Sequence, residues 1–128
     1  MAAIGHREPD QIPIDLGAMR STGITAVAYS NLKKYLGITA GHTRVYDVVQ
    51  QLAQPELSVL DYVETDVVDL GRAFLTAAAD WKDFLLPDGS KAQIPAYADF
   101  VPDGAGGWLA RSRDGIIIGA MPAGAYYL

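Results

Sequence analysis

Two short apolar runs, Ile12-Pro-Ile-Asp-Leu16 and Asp66-Val-Val-Asp-Leu70, each close on a glycine, Gly17 and Gly71, with helical spacing between them. This arrangement constrains the fold more than any other feature of the chain. Strand, helices, strand over such a span is what a parallel pair with a crossover requires, and those crossovers are right-handed. A parallel sheet holds only when both faces are covered and neighbouring strands are present. Pro13 cannot donate to a ladder, so the first run either starts at its proline or lies on an edge.

Between the runs, Ile24, Val27, Ala28, Leu32, Tyr35 and Leu36 recur at the spacing of a helical face, which predicts a helix over Thr25–Leu36. Gly37 supplies its stop, and Lys33 and Lys34 stand in the last turn, where the macrodipole favours cations. Val45, Val48, Val49, Leu52 and Ala53 repeat the spacing and predict a second short helix with Thr43 as its N-cap. Pro55 and Glu56 suit the first turn of a third, continuing through Leu57, Leu60 and Val63.

From Trp81 onward the texture changes to glycine, proline and turn signals. A turn at Pro87–Ser90 separates two apolar pieces within Phe84–Ile94, and Asp114-Gly115 marks a hairpin within Trp108–Ile118. The expected organisation is a single segment in two parts, with βα units over 1–80 and an antiparallel β-hairpin or meander over 81–128. With two candidate parallel strands and an apolar ending at Tyr126-Tyr127-Leu128, the expectation is a truncated chain.

At 128 residues the chain has the length of one domain, and with half its residues hydrophobic (50%) and a fifth charged (20%) it reads as globular rather than disordered. The net charge is −5 and Lys33-Lys34 is the only adjacent cationic pair, which argues against a phosphate-tracking surface and hence against nucleic acid as a partner. Absence of cysteine removes a disulfide framework, a thiol nucleophile and any thiolate metal ligand within these residues. No run approaches the ~20 apolar residues that span a bilayer, and Met1–Asp10 lacks the apolar core of a signal peptide. A soluble, cytoplasmic protein with no membrane partner is the expectation.

The opening Gly5-His-Arg-Glu-Pro-Asp-Gln-Ile-Pro-Ile-Asp-Leu-Gly17 resembles the start of uroporphyrinogen decarboxylase-like proteins. The stretches Ile24-Thr-Ala-Val-Ala-Tyr-Ser-Asn-Leu-Lys-Lys-Tyr-Leu-Gly37, Arg44-Val-Tyr-Asp-Val-Val-Gln-Gln-Leu-Ala53 and Asp66-Val-Val-Asp-Leu-Gly-Arg72 extend the resemblance. So do the Leu-Pro-Asp-Gly turn and the closing Met121-Pro-Ala-Gly-Ala-Tyr-Tyr127; their order and spacing carry more weight than any one motif. Together they are similar to the branch that contains corrinoid-linked methyltransferases, including those that demethylate methoxylated aromatics.

The resemblance implies an α/β fold: the N-terminal part of a (β/α)8 TIM-type barrel, about 250 residues or more when complete, with the hairpin as an insertion. Active sites in such barrels lie past the C-terminal ends of the strands. The implied substrate-binding residues are therefore Asp15 and Arg20 after the first run and Asp69 and Arg72 after the second, with Arg20 suited to an anion and Asp69 to pairing with Arg72. No residue of the chain is implied as catalytic.

The decarboxylases carry Met-Arg-Gln-Ala-Gly-Arg after the first strand; Met19-Arg20 matches its first arginine, but Ile24 stands where the second would fall. Ala73 occupies the place of their pyrrole-facing aspartate, so the resemblance favours methyl transfer. The methyltransferases bind zinc through His and Cys from later strands. His6 and His42 lack clustered ligand spacing, so zinc and a corrinoid protein are implied for the complete enzyme and no cofactor within this chain. The implied partners are the remainder of the barrel or a second copy. Two alternatives stand beside this: a non-catalytic short relative serving as a binding or assembly module, and a uroporphyrinogen decarboxylase-type lyase.

Overall fold

The computed structural model describes residues 2–128. Thr25 is the N-cap of α1 (Ala26–Tyr35), its side chain accepting from the Ala28 N–H, and Gly37 closes the helix at φ 70°, a conformation glycine adopts without a Cβ clash. The face α1 buries is not the one its aliphatic residues mark. Ala26, Tyr29, Ser30 and Lys33 point inward while Tyr35 is 87% exposed. A buried polar network sets this rotation. Lys33 pairs with Glu56 and donates to Ala40 O at 2.7 Å, while the Tyr29 hydroxyl accepts from the Glu56 N–H at 2.8 Å and donates to Glu56 Oε2 at 3.3 Å. The His42 N–H donates to Glu56 Oε1 at 2.8 Å. Gly41 lies so close that a Cβ there would collide with Glu56.

The second helix expected from Thr43 through Ala53 does not form. Arg44–Asp47 is β1 and Leu52–Gln54 is β2, an antiparallel pair with a register shift between Val45 and Asp47. The same apolar residues fit a strand, because Val45 and Asp47 point inward and Arg44 and Tyr46 less so. The turn decides between the two: the Asp47 carboxylate holds it by accepting from the Val49 and Gln50 N–H groups, and Gln51 takes φ 54°, which a helix does not allow. Thr43 lies just before β1, its carbonyl accepting from the Gln93 N–H. The third expected helix is α2 (Leu57–Tyr62), with Glu56 at its N-cap position and Val59 and Leu60 buried.

Beyond Trp81 the turn signals mark real hairpins. Trp81–Leu85 (β3) pairs antiparallel with Lys91–Pro95 (β4) across a turn closed by the Leu86 N–H to Ser90 O bond. Trp108–Arg111 (β6) pairs antiparallel with Asp99–Pro102 (β5) on one side and with Ile117–Met121 (β7) on the other. The result is two sheets, ordered β2-β1-β4-β3 and β5-β6-β7. Because β4 lies beside β1, the hairpin region and the first half of the chain share one sheet and one core. Tyr29, Val45, Val59 and Ile94 are fully or almost fully buried in it. Burial stabilises by about 1.5–3 kcal/mol for each large aliphatic side chain.

The chain is thus a small, mostly β domain with two α-helices, and the expectation of an N-terminal part of a (β/α)8 TIM-type barrel is overturned. Among the described residues the only parallel pairing is one register pair, Arg44 with Gln93. Ile12–Leu16 and Asp66–Leu70 are not strands, although they do meet: the Asp66 N–H donates to Ile14 O at 2.9 Å, and the Ile14 N–H donates to Asp66 Oδ2 at 2.8 Å. A carboxylate takes the place of a ladder carbonyl, Pro13 offers no N–H, and nothing covers the pair. Ile12, Ile14, Val67 and Val68 are exposed, and a two-stranded parallel ladder bare on its faces does not hold. Among the described residues, no helix is long and apolar enough to cross a membrane.

The Tyr29 network generates a test. Burial, then the adjacent Glu56 charge, pushes the Tyr29 hydroxyl up to about 12, against a backbone hydrogen bond that lowers it. A folded-state value above the unfolded one means that this stability is fully present below the ordinary tyrosine value and is lost as pH rises through about 12. Tyr29→Phe leaves the Glu56 N–H without its partner and should cost about 1–3 kcal/mol at neutral pH. Urea unfolding from pH 8 to 12 should show a steeper alkaline loss in the parent protein than in the variant. Equal slopes would contradict the role given to this hydroxyl.

Candidate functional site

Asp15 organises the loop after the first apolar run. Its Oδ1 accepts from the Ala18 N–H and its Oδ2 from the Thr22 hydroxyl, both at 2.9 Å. The loop turns at Gly17, whose φ is 80° and whose missing Cβ leaves room for the Pro55 ring. The turn Arg20–Thr22 then projects Arg20, whose Nε lies 2.6 Å from Asp47 Oδ2. Arg20 remains 71% exposed at its side chain while Asp47 is 3% exposed, so the pair joins a solvent-facing guanidinium to a buried carboxylate.

Asp69 and Arg72 sit on the other side of the same region. Asp69 accepts from the Gly71 N–H at 2.8 Å and caps the short turn Leu70–Ala73. Arg72 does not pair with it, contrary to the expectation. Its guanidinium donates to Pro55 O, the carbonyl of the residue whose ring packs on Gly17. Tyr46 stands between the two groups. Burial pushes its hydroxyl up, the Asp69 and Asp47 charges push it further, and Arg20 opposes them. That hydroxyl is buried and has no hydrogen-bond partner among the described residues.

Of the four residues singled out from sequence, Arg20 and Asp69 lie in the neighbourhood of Tyr46, while Arg72 reaches the Pro55 carbonyl and Asp15 holds the loop whose Gly17 packs on the Pro55 ring. Two members of that neighbourhood, Tyr46 and Asp47, were not expected there, because a helical reading of Val45–Ala53 turned them into capping and packing residues. The signal that reveals them is Asp47 standing two residues before Val49 and three before Gln50, the spacing of a side-chain-capped turn. Arg44 does something else: it stacks on Trp81 at 4.9 Å from the ring centre and donates to Gln93 Oε1.

Each carboxylate of the group is engaged. Asp15 and Asp69 accept backbone N–H groups, and Asp47 holds both a turn and Arg20. They shape loops rather than standing ready to move protons. What faces solvent is the Arg20 guanidinium, which can meet an anionic group while its Nε stays on Asp47. His6 and His42 are both exposed, and the described residues bring no three His, Asp or Glu side chains together as metal ligands. The zinc implied by the resemblance does not fit these residues, and no step is derived through it.

The chain matches no protein-family model, no curated protein and no solved structure. Methyl transfer and a corrinoid partner accordingly rest on the sequence resemblance alone.

The polar group yields opposite expectations for neighbouring residues. Tyr46→Phe removes a buried hydroxyl that nothing satisfies and should raise stability by about 1 kcal/mol. Asp47→Ala strips the turn of its acceptor and Arg20 of its partner, and should lower stability by roughly 1–3 kcal/mol. Thermal unfolding of the two variants checks both signs; destabilisation by Tyr46→Phe would mean that the hydroxyl has a partner.

Proposed function

We propose that this chain is the substrate-facing N-terminal segment of a uroporphyrinogen decarboxylase-like enzyme of the corrinoid-linked methyltransferase type, working in assembly with further polypeptide and not by itself. The observation that supports the reading is the convergence of Arg20, Asp47 and Asp69 on Tyr46, together with the meeting of the two apolar runs at Ile14 and Asp66. The need for assembly is argued from the surface beside that junction, where Ile12, Ile14, Val67, Val68, Leu70 and Phe74 are all exposed. A further polypeptide or a second copy would cover them.

Charge favours methyl transfer over tetrapyrrole decarboxylation. Three carboxylates, Asp15, Asp47 and Asp69, stand against two guanidiniums, Arg20 and Arg72. A substrate bearing several carboxylates is repelled by that balance, whereas a methoxylated aromatic with one polar handle is not. In the proposed role Arg20 orients the substrate's polar group, and the methyl acceptor and any metal belong to the covering polypeptide or to a corrinoid protein. The reading carries a cytoplasmic location with it, which suits a sequence without cysteine.

The test is methyl transfer from a methoxybenzoate to cob(I)alamin, followed by the cobalamin absorbance. Cleavage of the methyl–oxygen bond delivers the methyl group to cobalt and leaves a phenolate that takes up a proton. The isolated chain should give no transfer. Expressed together with the reading frame that adjoins it, the chain should support transfer that falls roughly tenfold or more with Arg20→Ala or Asp69→Asn. Turnover by the isolated chain, or no transfer by the combination, sinks the proposal.

A further inference from the structure

A second feature owes nothing to the residues around Tyr46. Where the two sheets face one another lies an open cleft of about 760 Å³, a volume typical of small-molecule sites. Its floor is the inner face of β3 and β4. The register pairs Phe84 with Ala92 and Lys82 with Ile94, so Phe84, Ala92, Ile94 and Lys82 share one face. The wall comes from the other sheet, with Phe100 and Trp108 tilted against Phe84 at ring-centre distances of 5.8 and 5.2 Å.

Lys82 is the anomaly. Its three face-mates are buried and apolar, yet it stands among them as an exposed cation. Among the described residues it has no ion pair and no side-chain hydrogen bond, and the same holds for Lys91 at the other end of the hairpin. Lys33 also reaches the cleft, but Glu56 neutralises it. Asp83 is the sole acidic residue of the lining, in a chain with fifteen Asp and Glu against ten Lys and Arg (15 and 10). The cleft is thus locally cationic on an acidic protein, and its apolar surface is largely aromatic.

We propose that this cleft binds a planar aromatic carboxylate, with its ring against Trp108 and Phe100 and its carboxylate on Lys82. Aromatic walls select a flat ring through offset or tilted stacking. A lysine held on an apolar face gives a carboxylate a partner in surroundings less watery than the open surface, where the pairing is stronger. A neutral ring loses the ion pair, and an aliphatic acid loses the stacking.

Titration calorimetry of the whole chain with 2-naphthoate tests this, using naphthalenemethanol and cyclohexanecarboxylate as controls. Saturable binding is expected at a Kd below about 1 mM, with both controls roughly tenfold weaker. Lys82→Gln should weaken naphthoate binding roughly tenfold, whereas Lys91→Gln, on the other face of the hairpin by register, should leave it nearly unchanged. Both lysines are exposed, so these variants should keep the parent circular dichroism, and Trp108→Phe gives a further variant that retains a ring. Absence of saturable binding overturns the proposal. So does a neutral control as tight as naphthoate, or a well-folded Lys82→Gln protein of unchanged affinity. None of these outcomes touches the methyl-transfer reading, whose test uses different residues and a different signal.

Discussion

The ion pair between Lys33 and Glu56 fixes the relation between α1, the loop that follows it and the start of α2. A buried pair of this kind gains stability only when its remaining valences are filled. Here they are: Lys33 also donates to Ala40 O, and Glu56 receives the His42 N–H and the Tyr29 hydroxyl. Tyr29 in turn accepts from the backbone of Glu56. The bonds to Glu56 join it to segments distant in sequence, so the network sets the rotation of α1 and brings the loop around Gly41 against Glu56. That loop leads directly into Thr43, whose carbonyl engages Gln93 and seats β4 beside β1. The mixed sheet therefore depends on a polar contact rather than on the aliphatic stripe of the helix.

This explains which parts of the fold could be read from sequence. The ends of α1 were readable because Thr25 and Gly37 act locally, through a side-chain cap and a positive φ. The hairpins were readable for the same reason: Asp88-Gly89 and Asp114-Gly115 encode their turns within a few residues. The rotation of α1 was not, since Tyr29 and Lys33 bury themselves for partners some twenty-five residues away. Nor was the strand character of Arg44–Asp47. Valines at positions 45, 48 and 49 satisfy a helical period and a bulged strand alike, and only the Asp47 turn separates the two.

The parallel pair failed for a different reason. Ile12–Leu16 and Asp66–Leu70 have the composition of covered strands, and the chain does bring them together at Ile14 and Asp66. Composition reports what a segment is suited to, whereas a ladder needs neighbours to bury its faces. Without them the polar atoms choose local partners: Asp66 takes the Ile14 N–H and Asp69 takes the Gly71 N–H. The aspartates that end the two runs are held by turns of their own rather than by strands. Asp15 holds its turn through Ala18 and Thr22, and Asp69 holds its own through Gly71, whatever the preceding backbone does. Arg72 was assigned the wrong partner because Pro55, its acceptor, carries no side-chain signal for it.

The same reasoning separates the two sites by how their charges are used. Around Tyr46 every carboxylate is committed to backbone or to Arg20, so those charges organise structure and leave little to spare for a ligand. Lys33 is in the same condition, bound into Glu56. Lys82 and Lys91 are not: no fold contact explains a cation on the apolar face of β3, and removing its charge breaks no bond. A charge that the fold consumes tells of stability, and one that it leaves over tells of a partner. On that criterion the cleft beside Trp108 is where an anion contributes binding energy without competing with the fold. Around Tyr46, by contrast, a ligand has to share Arg20 with a carboxylate that is already buried.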